Sequence, residues 1–263
     1  MKFAGSRGFY EVWQRNCPII GHVLILALDT SSPAGSIAVL RDEKVIGTVS
    51  TWTDEIYSSR IFRHLEFLLG ELSLGLDAFD LFAVAAGPGS FTGLRVGLAA
   101  VKGWAEVYRK PIAAVSALEA VAAQSHSQGP LLVPVLDARR GQVYFGFYRR
   151  AGAQGEDALA LEGEECVMTP EEFAEILLAR AAIENLAIIT PVPELVSGVV
   201  SRCETTRTGR ISIDRVPAVL APQVGQLGYE KAKRGELADP LTLDANYIRR
   251  SDAELHWKRP PES

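Results

Sequence analysis

The chain is poor in most of the features from which a special class of protein would be read. Its 263 residues hold only three cysteines, Cys17, Cys166 and Cys203, far apart and without a CxxC pair. That excludes a disulfide framework and a zinc ribbon and points to a reducing, cytoplasmic setting. Basic residues are not in excess, since 27 Lys plus Arg stand against 32 Asp plus Glu, a formal charge of −5. The broad attraction to phosphate that dominates affinity in autonomous nucleic-acid binders is therefore missing, and any RNA contact is expected to need a partner. No run approaches the roughly 18 consecutive apolar residues of a spanning helix, because Gly, Pro, Thr or Ser cuts each one, so membrane embedding is not expected. Low-complexity tracts are absent as well. With 48% hydrophobic and 22% charged residues, the composition excludes disordered and fibrous classes.

Residues 1–22 have a basic character but neither an apolar h-region nor a small-residue cleavage site, so a secretory signal is not expected. They read as a flexible extension, or as a stretch ahead of a true translation start near Val23, where the periodic sequence begins. From Val23, VLILALDTSSPAGSIAVLRDEKVIGTVSTW reads as a three-stranded meander with turns at Asp29 to Gly35 and Arg41 to Lys44. Tyr57, Ile61, Leu65, Leu68 and Leu72 then recur at helical spacing up to Gly75. LFAVAAG is a buried strand, TGLRVGLAAVKGWAEVYRK a helix stopped before Pro111, and PIAAVSAL a further strand. The order β-β-β-α-β-α-β predicts a mixed sheet with helices packed on it.

The second half echoes the first, for LLVPVLDARRGQVYFGFYRR again gives an apolar strand ending in Asp, a polar turn and a returning strand. MTPEEFAEILLARAAI reads as a helix capped at Thr169. LAIIT and RVPAVL are expected as strands and APQVGQLGYEKAKRGE as a closing helix. The expected division is residues 23–122 for a first lobe, 123–220 for a second, and 221–263 for a helix returning to the first lobe and a mobile tail. Asp29 and Asp137 occupy equivalent strand ends. Each is either a turn former capping local amides or one of a pair of hairpin carboxylates facing the phosphates or metal of a nucleotide.

The most distinctive string is Gly87, Pro88, Gly89, Ser90, Phe91, Thr92, Gly93, Leu94, Arg95, set between a strand and a helix. Glycines before a helix N-terminus suit an anion. The spacing, however, is not GxGxxG, no Gly-Lys-Ser/Thr follows, and GxSxG fails at Thr92. A tight strand-to-helix connection and a phosphate site both remain open at this level.

LALDTSSPAGSIAV, AAGPGSFTGLRVGLAAVKG and VLDARRGQVYFGFY, in this order, resemble the TsaB (YeaZ) family of bacterial tRNA threonylcarbamoyladenosine biosynthesis proteins. The terminal YIRRSDAEL is similar to that family's ending. The resemblance covers about Val23 to Leu255. It implies an α/β fold of two ribonuclease-H-like lobes of the actin/Hsp70/sugar-kinase type, with mixed sheets flanked by helices. It further implies a non-catalytic scaffold for a TsaD-type enzyme, working with a TsaE-type ATPase. That machinery transfers threonylcarbamoyl to the adenosine beside the anticodon of tRNAs reading codons that begin with A. Under this reading no cofactor is tightly bound, ATP or ADP sits at the partner interface, tRNA is met only within the complex, and the chain alone forms a homodimer.

The catalytic paralogue resembles a metalloprotein with two histidines at i, i+4, which points both imidazoles at one metal. Here His22, His64, His126 and His256 are too far apart in sequence for that, so neither a metal site nor a catalytic residue is expected. An alternative is a kinase-like or ATPase activity in the inter-lobe cleft, although the turn after Asp137, Ala138-Arg139-Arg140-Gly141, lacks a Gly/Thr-rich phosphate loop. The arginines could pair an anion only from the side. Surplus apolar surface on the two first-lobe helices suits a scaffold. The expected partner-facing positions are Ile61, Leu65 and Leu68 on one helix and Gly97, Val101 and Trp104 on the other.

Overall fold

The computed structural model describes residues 22–53, 57–127, 131–150, 159–199, 201 and 211–248. The N-terminal extension up to residue 21 and the YIRRSDAEL ending beyond Ile248 lie outside them.

Strands β1 (Leu24–Asp29), β2 (Ser36–Arg41), β3 (Lys44–Ser50), β4 (Leu81–Gly87) and β5 (Ile112–Ser116) form one sheet in the order β3-β2-β1-β4-β5. The first three run antiparallel as the expected meander, and β4 and β5 join parallel. A second sheet repeats this plan. In it β6 (Leu131–Arg139), β7 (Gln142–Phe145), β10 (Cys166–Met168), β11 (Leu186–Thr190) and β12 (Ile211–Arg215) lie in the order β10-β7-β6-β11-β12. Its first three strands are again antiparallel and its last two parallel. Two short strands, β8 (Tyr148–Arg150) and β9 (Leu159–Leu161), extend it beside β6.

Helices α1 (Tyr57–Leu72) and α2 (Phe91–Tyr108) cover one face of the first sheet, α3 (Ala117–Ala122) and α5 (Ala221–Arg234) the other, and α4 (Pro170–Ala181) packs on the second sheet. Alternation along the strands decides which helices come close. Leu26, Leu28, Phe82 and Val84 point toward α1 and α2, whereas Ala27, Ala38, Ala83 and Ala113 point toward α5. Small side chains on that face meet a small-residue stripe on α5. A Cβ on Gly228 would stand 2.7 Å from the Ala83 Cβ, and one on Gly225 would run into Leu40. α5 therefore lies almost directly on the sheet. The same apolar layer continues into the second lobe through Leu132, Tyr144, Tyr148, Ala187 and Ile189.

Local signals set the helix ends. Thr169 and Glu172 form a reciprocal capping box, with Pro170 in the first turn of α4. α2 ends where Arg109 turns left-handed (φ 54°), two residues ahead of Pro111, and α5 ends on Gly235 (φ 80°). Two expected strands are corrected. The strand assigned to PIAAVSAL stops at Ser116, because its hydroxyl accepts from the amides of Leu118 and Glu119 and starts α3 instead. The strand expected at RVPAVL lies one segment earlier, at Ile211–Arg215, because Pro217 brings no amide to the ladder.

Candidate functional site

The Gly87 to Arg95 string joins β4 to α2, and most of its unusual residues are used against the chain itself. Ser90 caps α2, its Oγ accepting from the Gly93 amide at 3.2 Å, while its own amide donates to the Ser31 carbonyl at 2.7 Å. The Thr30 hydroxyl donates to the Gly93 carbonyl at 2.7 Å. Glycine is required because the β1–β2 turn presses on this segment. A Cβ on Gly89 would sit 2.5 Å from the Ser31 carbonyl oxygen, and Cβ atoms on Gly93 and Gly97 would collide with the Thr30 backbone oxygen and hydroxyl. Gly87, at φ 114°, faces the backbone of Asn246, whose amide donates to the Ala86 carbonyl at 2.7 Å. The space that a phosphate cradle would leave open is filled by Thr30 and Ser31.

Phe91 and Arg95, one helical turn apart, hold the C-terminal segment. The Arg95 guanidinium lies 3.8 Å from the Phe91 ring centroid, its Nε donates to the Tyr247 hydroxyl at 3.1 Å, and the two rings are 5.1 Å apart.

Asp29 is fully buried in the β1–β2 turn. Its Oδ1 accepts from the Ser31 amide at 2.8 Å and the Ser31 hydroxyl at 2.6 Å, whereas Oδ2 has no partner among the described residues. Burial pushes this carboxyl up to about 6 against the pull of the Ser31 hydrogen bonds. Asp137 is exposed at the β6–β7 hairpin, where Oδ1 accepts from the Arg139 amide at 2.7 Å and Oδ2 lies 3.6 Å from the Arg139 guanidinium. In both carboxylates the turn-forming geometry is the one observed. The hairpin closes through three consecutive left-handed residues, Arg139 (φ 61°), Arg140 (φ 55°) and Gly141 (φ 68°).

Five of the six positions expected to face a partner are placed elsewhere. Ile61, Leu65, Leu68 and Val101 are buried in the core between the first sheet, α1 and α2, and Gly97 packs on Thr30. The stripe at helical spacing is the face that the lobe itself needs, so sequence periodicity marks the core and not the surface beside it. Trp104 is half-buried with its ring 5.9 Å from Phe82. Among the exposed apolar side chains of this region are Phe62 (55%), Phe67 (60%), Val107 (72%) and Trp52 (69%).

One cluster gave no signal in the sequence. Glu165, between β9 and β10, accepts from the Tyr148 hydroxyl at 2.5 Å, from the Ser116 hydroxyl, and from Asn246 Nδ2 at 2.8 Å. Burial raises both the Glu165 carboxyl and the Tyr148 phenol, and the neighbouring Glu119 raises both further. These four residues are scattered over 130 positions and carry no spacing from which a cluster could be read. Among the described residues, no group of three or more His, Cys, Asp and Glu side chains gathers as a metal site would require, and no helix is long and apolar enough to cross a membrane.

Two sheets of one strand order, each a meander followed by two parallel strands, define a duplicated ribonuclease-H-like protein of the actin/Hsp70/sugar-kinase type. The family model described as TsaD, tRNA N6-adenosine threonylcarbamoyltransferase, matches residues 40–195. The chain is 40% identical over 125 residues to the tRNA threonylcarbamoyladenosine biosynthesis protein TsaB of Bacillus subtilis, covering 48% of this chain and 55% of that protein. It is 32% identical over 128 residues to TsaB of Escherichia coli, again covering 48% and 55%. The matched stretch thus spans about half the length of these curated relatives. The solved structure of YeaZ from Pseudomonas aeruginosa superposes with a TM-score of 0.67 at 25% identity, covering 86% of this chain and 99% of that one. The chain belongs to the TsaD family and, within it, to the TsaB/YeaZ branch.

Proposed function

We propose that this chain is a non-catalytic scaffold in the formation of threonylcarbamoyladenosine on tRNA. It would hold a TsaD-type catalytic subunit through the first lobe and work with a TsaE-type ATPase, with tRNA met only in the assembled complex and ATP or ADP held at the partner interface. The modified base would be the adenosine beside the anticodon in tRNAs reading codons that begin with A. Family membership supports the pathway. The scaffold role rests on one observation, the exposure of Phe62 and Phe67 on α1. At 100° per residue they flank the buried Ile61–Leu65–Leu68 stripe on opposite sides, so apolar surface continues past the core on both flanks. Two large aromatic side chains more than half in water on one helix are in keeping with a contact surface. The inward use of the Gly87–Gly93 string also supports a role other than phosphate handling.

The test is a tRNA modification assay supplied with threonine, bicarbonate and ATP, using this chain alone, the TsaD-type partner with the ATPase, and all three. Product is expected only from the full set. Modification by this chain alone would refute the scaffold role. ATP hydrolysis by the isolated chain well above blank would favour an enzyme of the inter-lobe cleft instead.

A further inference from the structure

Glu165 sits where four separate parts of the chain meet. It comes from the β9–β10 loop of the second lobe, and its Oε1 accepts from the hydroxyl of Tyr148 on β8 of the same lobe. Oε1 also accepts from Ser116, the last residue of β5 in the first sheet, whose oxygen caps α3 by accepting from the amides of Leu118 (3.1 Å) and Glu119 (3.3 Å). Oε2 accepts from Asn246 on the C-terminal segment. That segment is in turn fastened to the first lobe by the Asn246 amide on Ala86, by Tyr247 on Phe91 and Arg95, and by the buried Ala245. One carboxylate thus ties the second lobe to both the end of the first sheet and the strap that crosses it.

The donors to Glu165 are two hydroxyls and one amide, all neutral. A surface ion pair would be screened by salt and contribute little, whereas a part-buried carboxylate satisfied by three hydrogen bonds is costly to disturb. Each lobe also has an apolar core on the outer face of its sheet, independent of Glu165. Removing the carboxylate therefore takes away a connection between lobes and leaves the outer core of each lobe intact.

We propose that Glu165 is a pin at the rim of the apolar layer the two lobes share, its carboxylate fastening the Ser116 end of the first sheet and the Asp244–Ile248 strap to the second lobe, so that its loss loosens those two segments within a folded chain. The experiment is amide hydrogen exchange on the whole chain, comparing wild type with Glu165→Ala and, because that change could affect folding, with Tyr148→Phe, which removes a single hydroxyl. For Glu165→Ala the expected result is at least tenfold faster exchange in residues 116–123 and 244–248, with protection in the centres of α2 and α4 unchanged. Tyr148→Phe should show the same pattern at smaller amplitude. Unchanged exchange in both segments for both variants overturns the proposal. So does a loss of protection spread evenly over α2, α4 and the two segments in Tyr148→Phe, because it would make the cluster an ordinary part of global stability.

Discussion

Three residues of the first lobe carry consequences that can be measured singly. The Asp29 carboxyl, lifted from 3.8 to about 6 by burial, binds its proton more tightly in the folded chain than in the unfolded one. Below about pH 4 it is protonated in both states. Between about 4 and 6 only the folded state keeps the proton, so stability falls as pH rises through this window and levels off above it. A shift of about two units corresponds to roughly 3 kcal/mol. In Asp29→Asn this contribution is absent, so its stability relative to wild type should climb from about pH 4 to about pH 6 and then stay flat. Denaturant melts at a series of pH values check this, and a constant difference would count against it. The glycines give a second contrast. Gly93→Ala drives a Cβ into the Thr30 carbonyl and should cost about 1–3 kcal/mol. Gly103→Ala has nothing within 4 Å and should gain about 0.5–1 kcal/mol from helix propensity. If both substitutions shift the melt alike, the close packing of the β1–β2 turn on α2 is not what requires Gly93.

At the level of the helix pair, burial separates two substitutions that the sequence alone would treat as equivalent. Gly97→Arg places a long charged side chain against Thr30, inside the lobe, and is expected to unfold it or lower its melting temperature sharply. Phe62→Asp and Phe67→Asp alter side chains already more than half in water. They should leave the melt within about 0.5 kcal/mol of wild type while weakening association, both of the chain with itself and with a TsaD-type subunit. Sedimentation velocity and partner pull-down beside thermal melting read both quantities. Wild-type association by the Phe62/Phe67 double variant would remove this face from the interface.

For the whole molecule the charge balance of −5 sets the expectation. The isolated chain should not bind tRNA with sub-micromolar, salt-sensitive affinity, because it releases few counterions on contact. Several positive charges among the described residues are engaged at home: Arg149 and Arg180 are shared among Glu162 and Glu184, and Lys231 meets Glu119 at 3.2 Å. Filter binding of tRNA at low and moderate salt checks this, and tight binding that weakens steeply with salt would contradict it.

The sequence by itself determined the meander, the helices α1, α2, α4 and α5, the N-terminal cap of α4 and the repeated strand, Asp and turn of the second lobe, because each depends on neighbours within a few residues or on a period of 2 or 3.6. It also singled out Gly87–Arg95 as unusual. What that string does was decided only by tertiary structure: whether Gly89 and Gly93 accommodate a phosphate or the Thr30–Ser31 backbone depends on a turn some sixty residues away. The same holds for α1 and α2. Periodicity marks a stripe of apolar residues, and only the packed sheet shows that Ile61, Leu65 and Leu68 spend that stripe on the lobe's own core, leaving Phe62 and Phe67 outside. Glu165 lies at the far end of this scale. Its role is set by three donors from three other segments, and no local pattern encodes a contact whose partners are brought together only when the two lobes close on each other.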